Sequence, residues 1–266
     1  MKTRVIGAII ILSIFIPFII QGGLYFTSLS LILGLVGFKE LYDVRYKEKK
    51  LPLLLEILSF LAVGFLIVNN CKSNELTLVL DYQILSLFMI VFLLPIVIIG
   101  DIKKYNLEDA LYLLGSAIFI GLSFHLMIII RNYSLLYLTY FFVITTMTDV
   151  FALFTGQLIG THKLCPKISP KKTIEGLIGG TIMGVFTAII FYLTVINANM
   201  NLTHLLIVTL TLSLIGQLGD LVFSAIKRLY GKKDFSNLIP GHGGVLDRFD
   251  SVIFVIITAV LFIGII

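Results

Sequence analysis

The sequence predicts an all-α, polytopic integral membrane helical bundle of about nine transmembrane helices with a cytoplasmic N-terminus, and three observations predict it. First, 58% of the 266 residues are hydrophobic and only 13% charged, with a mean hydropathy of +1.06, a balance that no water-facing surface accommodates. Second, the apolar residues form continuous runs of about 20, the length a spanning helix needs, rather than the alternating runs of about 10 expected of barrel strands. Third, lysine and arginine are sorted onto alternate loops. With the N-terminus inside, eighteen of the twenty lie on cytoplasmic segments and only Lys72 and Arg131 lie outside.

The runs cover residues 5–21, 23–38, 52–69, 82–100, 110–130, 135–160, 174–197, 203–229 and 246–266. The first, preceded by Lys2 and Arg4, has the flanks of a signal peptide, but so many later spans favour an uncleaved first helix. The second is short enough to be tilted or re-entrant. No soluble domain, repeat or low-complexity linker interrupts the series, so residues 1–266 read as one membrane-embedded domain.

The net charge of +5 does not indicate a nucleic-acid partner, because the basic residues are spread over membrane-flanking loops without interleaved aromatics. Anionic membrane lipids are the better partner for most of them, and the charge-rich stretch 39–50 reads as a topology-setting loop. Cys71 and Cys165 fall on opposite sides of the membrane and form no disulfide. The two richest polar segments, 161–173 and 230–245, share the cytoplasmic side and can build one site.

Carboxylates inside apolar spans are costly and usually functional. Asp149, Asp220 and Asp250 sit near the cytoplasmic ends of three different helices, with Asp247 close by; ordinary ion pairs with neighbouring Lys or Arg are the plain alternative. Asp220, Ser224, Lys227 and Arg228 occur at i, i+4, i+7 and i+8, so one helix presents a carboxylate, a hydroxyl and two cations. That order suits a triphosphate bridged by Mg2+, with hard oxygen ligands on the ion and cations on the phosphate oxygens. Asp247 and Asp250, at i and i+3 on the next helix, can complete the metal shell; whether a second cation joins the Mg2+ is left open by the sequence. Between these helices Gly241, Gly243 and Gly244 allow close backbone approach to phosphate, beside a helix N-terminus that favours an anion. His242 in this turn is either a structural hydrogen-bonding residue or a contact to the nucleotide. His125 and His204 read as structural.

A second cationic segment holds Lys163, Lys167, Lys171 and Lys172 around Pro166, Ser169, Pro170 and Thr173, ending at Glu175-Gly176. Small-residue stripes at Asp149, Ala152, Gly156 and Gly160, and at Gly176, Gly180 and Gly184, predict close helix packing.

The spacing S-x-x-K-R-x4-K-D-x-S-x2-I-P-x-H-G-G-V-x-D-R-F-D, gapless from Ser224 to Asp250, resembles the signature of the phosphatidate cytidylyltransferases, or CDP-diacylglycerol synthases. Lys167-Ile168-Ser169-Pro170-Lys171-Lys172-Thr173-Ile174-Glu175-Gly176 is similar to that family's other familiar stretch, although Ile174 replaces a common Trp and Gln157 stands where a basic residue is usual. The specific match lies within residues 145–251.

The resemblance implies a nucleotidyltransferase of phospholipid biosynthesis that converts CTP and phosphatidic acid to CDP-diacylglycerol and pyrophosphate. It implies Asp220 and Asp247 as Mg2+ ligands with Asp149 and Asp250 in support, and Lys227, Arg228 and Lys172 in the chemistry. Substrate is then held by Ser224, Lys167, Lys233, His242, Gly243, Gly244 and Arg248. An integral protein of the bacterial inner (plasma) membrane with its active site facing the cytoplasm follows from the same resemblance. A homodimer is common among such proteins, though nothing in these residues requires one. A CTP-dependent lipid kinase and a transporter are the competing classes. The clustering of carboxylates with loop cations at one face, rather than at mid-bilayer, speaks against the transporter.

Overall fold

The computed structural model describes residues 13, 15–69, 82–198, 200–238, 241 and 243–262; most of the first expected span, residues 70–81 with Cys71 and Lys72, and His242 lie outside the described residues. The chain divides into two compact units, residues 1–133 with 235–245, and residues 134–234 with 246–266.

The first unit contains α1 (Gly23–Arg45), α2 (Leu53–Val68), α3 (Tyr82–Ile99) and α4 (Leu107–Tyr133). Helix α4 forms its core: Leu113, Ala117, Ile120 and Phe124 are fully buried. Helices α1 and α2 close on it through glycines, Gly34 lying against Ile67 and Phe124, and Gly121 against Leu66. Helix α3 buries only Phe88 and Phe92 and exposes Ile90, Leu94, Val97 and Ile98, as a helix whose solvent on that side is lipid must. The second expected span is longer than the sequence suggests, since α1 runs for 23 residues.

Polar groups at one end of this unit are closely matched. Asp109 is 1% exposed, pairs with Lys49 and with Arg45 at 3.8 Å, and accepts the backbone N–H of Asn106 at 3.2 Å, while the Asn106 side chain accepts the Asp109 N–H at 2.9 Å. This reciprocal cap satisfies the orphan donors at the start of α4. Tyr105 is fully buried and donates to the Phe92 carbonyl at 2.8 Å. Burial first, and the neighbouring Asp109 charge second, push its phenol up to about 12.

The second unit contains α5 (Leu135–Leu158), a two-stranded antiparallel hairpin of β1 (Lys163–Cys165) and β2 (Ser169–Thr173), α6 (Ile174–Phe191), α7 (Leu202–Leu229) and α8 (Leu246–Ala259). A π-helical turn, Tyr192–Ile196, extends α6 and stops at left-handed Asn197. Three helices begin on side-chain caps: Ser134, Thr173 and Asn201 accept from the N–H groups of Leu136, Gly176 and Thr203. Helices α5 and α6 run antiparallel in close contact, as the small-residue stripes predict. A Cβ on Gly180 would fall 2.7 Å from the Thr148 carbonyl, and one on Gly176 equally close to that of Ala152.

Among the described residues, six helices are long and apolar enough to cross a membrane, namely α1, α3, α4, α5, α6 with its π turn, and α7. Helix α2, at 16 residues, spans about 24 Å against a hydrocarbon core of about 30 Å. The described part of α8 is also short of a full crossing. The sequence gives no strand in 161–173, where the structure forms the hairpin, and that hairpin lines the site described next.

Candidate active site

The second unit contains a cavity of about 360 Å3 between α5, the hairpin, α6 and α7. Its polar lining includes Asp149 and Gln157 of α5, Lys163, Lys171 and Lys172 of the hairpin, and Gln217 of α7. Asp149 is surface-accessible because it faces this recess. Leu153, Leu164 and Leu177 supply apolar walls. The volume falls in the range of about 300–1,000 Å3 that small-molecule sites occupy.

Around the cavity the predicted charges form one continuous chain. Lys172 Nζ lies 2.6 Å from Asp220 Oδ2 and 3.4 Å from the Gln217 carbonyl. Ser224 donates to the other Asp220 oxygen at 3.3 Å, the i to i+4 contact that the helix spacing predicts. Asp149 and Asp250 are each within electrostatic range of Asp220 and of one another, and the Ser251 hydroxyl faces Asp149. Lys227 Nζ donates to Asp247 Oδ1 at 2.7 Å in a buried pair that joins α7 to α8, and Lys227 also acts on Asp250. The structure therefore gathers Asp149, Lys172, Asp220, Ser224, Lys227, Asp247 and Asp250.

Other predicted residues stand elsewhere. Arg228 turns away from Lys227, its neighbour in sequence but about 100° around the helix. Its Nε donates to the Ile168 carbonyl at 3.2 Å and its Nη1 to that of Lys232 at 2.7 Å, tying the end of α7 to the hairpin turn. Lys167, Lys233 and Arg248 are exposed.

Gly243 and Gly244 belong to the first unit, where Gly241 and Gly243 adopt left-handed φ of 78° and 80°. Gly244 packs on the carboxylate of Glu40, with no space for a Cβ. Glu40, 4% exposed, accepts from Ser236 Oγ at 2.7 Å and from the Val245 N–H at 2.8 Å, so one side chain of α1 holds both ends of the glycine loop.

Three features escaped the sequence reading. Glu40 sits in a stretch read as topology-setting, and its signal was a carboxylate next to the apolar face of α1. Gln217 is a polar residue inside an apolar span, one turn before Asp220. His162 was unassigned. Its Nδ1 lies 2.6 Å from Glu175 Oε1, which also accepts from Thr161 at 2.8 Å, closing the base of the hairpin. The unusual Gln157 lines the cavity together with Lys163 and Lys171, so cations are present there without a basic residue at 157.

A metal ion can be tested against these donors. Four carboxylates share two lysines, Lys172 and Lys227, and that excess of hard anionic oxygen suits a divalent cation. Among the described residues, however, no three His, Cys, Asp or Glu side chains converge closely enough to hold one in this arrangement.

Helices long and apolar enough to cross a membrane, enclosing a cavity lined by three lysines and Asp149, define the class: a membrane protein with a charged recess among its helices. The chain belongs to the cytidylyltransferase family, whose model matches residues 2–266. It is 39% identical over 256 residues to a phosphatidate cytidylyltransferase of Staphylococcus haemolyticus, and 39% identical over 257 residues to one of Staphylococcus aureus. A third, of Staphylococcus saprophyticus, is 37% identical over 257 residues, and in all three 96% of each chain is covered.

Proposed function

We propose that this protein transfers a cytidylyl group from CTP to phosphatidic acid at the cytoplasmic face of a bacterial plasma membrane, releasing pyrophosphate and leaving CDP-diacylglycerol in the bilayer. The observation that supports this most is the cavity of the second unit, where Lys163, Lys171 and Lys172 meet the acidic chain through Asp149 and Asp220. The relatives named above supply the substrate classes.

The chemistry asks little of acid–base groups. A lipid phosphate oxygen, already anionic near neutral pH, attacks the α-phosphorus of CTP. The bond to the bridging oxygen breaks, and pyrophosphate leaves with the electron pair. Such a displacement is accelerated chiefly by positioning and charge neutralisation. Lys163 and Lys171 are exposed cations free to take phosphate oxygens, whereas Lys172 is fixed by Asp220 and is thereby aimed rather than mobile. The Lys227–Asp247 pair holds α8 against α7 and keeps Asp250 beside Asp220. A Mg2+ ion would take its ligands from Asp220, Asp149, Asp250 and Asp247, and the chemistry it would supply is neutralisation of phosphate charge.

The test uses purified protein in detergent micelles with phosphatidic acid, Mg2+ and CTP labelled either in the base or in the γ-phosphate. Base label entering the lipid phase is the expected result. Entry of the γ-label would make the protein a lipid kinase, and entry of neither would remove it from both transferase classes.

A further inference from the structure

The cavity contains a buried residue, Gln217, whose polar side chain the proposed phosphate chemistry does not use. Gln217 is 5% exposed and its side-chain amide lies between α6 and the cavity. Its orientation follows from hydrogen-bond accounting. Thr181 Oγ1 gives its proton to the Leu177 carbonyl at 2.8 Å, so toward Gln217 Thr181 has only a lone pair to offer. The Gln217 atom 2.8 Å from it must be the nitrogen, which also points at the Leu177 carbonyl at 3.4 Å. The acceptor, Oε1, is left over, and no group among the described residues donates to it. An amide oxygen that has no protein donor, on a residue lining a cavity, is set to receive one from a ligand.

The ionised oxygens of a triphosphate offer no such donor. A nucleobase amine does, and Leu153, Leu164 and Leu177 provide the apolar walls that a flat ring needs. We propose that Gln217 is a specificity-determining residue: its Oε1 accepts a hydrogen bond from the exocyclic amine of cytosine and repels the carbonyl oxygen that uracil carries at the same position. Thr181 is the positioning residue that keeps the amide from turning over. This inference rests on the proposed CTP-dependent transfer and specifies how its base is read.

The experiment measures kcat/KM for CTP, dCTP and UTP, with UTP also measured as an inhibitor of the CTP reaction, in the wild type, Gln217→Leu and Thr181→Val. The expected result is that preference for CTP over UTP falls by roughly tenfold or more in both variants, the size of one buried hydrogen bond lost. In Thr181→Val the freed amide can present its N–H2 to uracil, so UTP binding improves in absolute terms. A merely structural role would lower both nucleotides by the same factor, and that result overturns the proposal. A changed preference between CTP and dCTP with an unchanged CTP-to-UTP ratio also overturns it, assigning Oε1 to a ribose hydroxyl. Should Gln217→Leu fail to fold, the shift in UTP inhibition of Thr181→Val decides alone. Failure of the wild type to transfer label from CTP would instead refute the transfer reaction itself.

Discussion

The two units both place carboxylates within apolar helices, and they balance them differently. In the first, Asp109 is enclosed by Lys49, Arg45 and the reciprocal cap with Asn106, and Glu40 is occupied by Ser236 and the Val245 N–H. In the second, Asp149, Asp220, Asp247 and Asp250 share Lys172 and Lys227, and Asp149 faces open space. Burial of a carboxylate alone therefore does not mark chemistry. A surplus of carboxylate beside a cavity is the distinguishing feature, because the missing positive charge is what a cation bound there would supply.

Substitutions that remove one carboxylate from each unit separate these two uses. Asp247→Asn in the second unit takes the counter-charge from buried Lys227, and kcat/KM for transfer is expected to fall by about 10²–10³ or more. Asp109→Ala in the first unit is expected to lower stability by about 3 kcal/mol, the low end for breaking a buried pair because Arg45 and Lys49 can rehydrate. Its turnover per folded molecule should stay near wild type, which detergent-solubilised thermal unfolding and label transfer measured on one preparation would establish. Gly180→Ala, where a Cβ meets Ala152 and the Thr148 carbonyl, should cost about 1–3 kcal/mol through overpacking of α5 on α6. Turnover should fall with it, since Asp149 rides on α5.

The smallest effect is expected from Tyr105→Phe, about 1 kcal/mol for the hydrogen bond to Phe92. It also has a pH signature. The folded pKa of Tyr105 is raised to about 12 above an unfolded value near 10, so its contribution is complete below pH 10 and is lost as pH rises through 12. Alkaline unfolding of Tyr105→Phe should be less steep than wild type across that window.

Helix positions were legible because the apolar runs are continuous: 135–160, 174–197 and 203–229 are observed as Leu135–Leu158, Ile174–Ile196 and Leu202–Leu229. The packing of Gly176 and Gly180 on α5 was legible from the four-residue spacing, as was the contact of Ser224 with Asp220. The hairpin was not. A lysine-rich segment with Pro166 and Pro170 has no strand pattern, and its pairing is imposed by the close antiparallel helices at its two ends. Nor could one sequence reveal that Glu40 bonds to Val245, or that Lys227 and Arg228 part company, since both depend on which neighbour each helix meets.

The most direct test of the account is a double-mutant cycle on Asp220 and Lys172, with transfer rate and thermal unfolding measured on the same samples. The account predicts that Asp220→Asn, Lys172→Gln and the double variant each lose about 10²–10³ in kcat/KM, that the double loses little more than either single, and that unfolding temperatures move by only a few degrees. Near-wild-type transfer in either single variant, or a loss that merely follows a fall in unfolding temperature, would contradict the claim that this pair serves chemistry rather than stability.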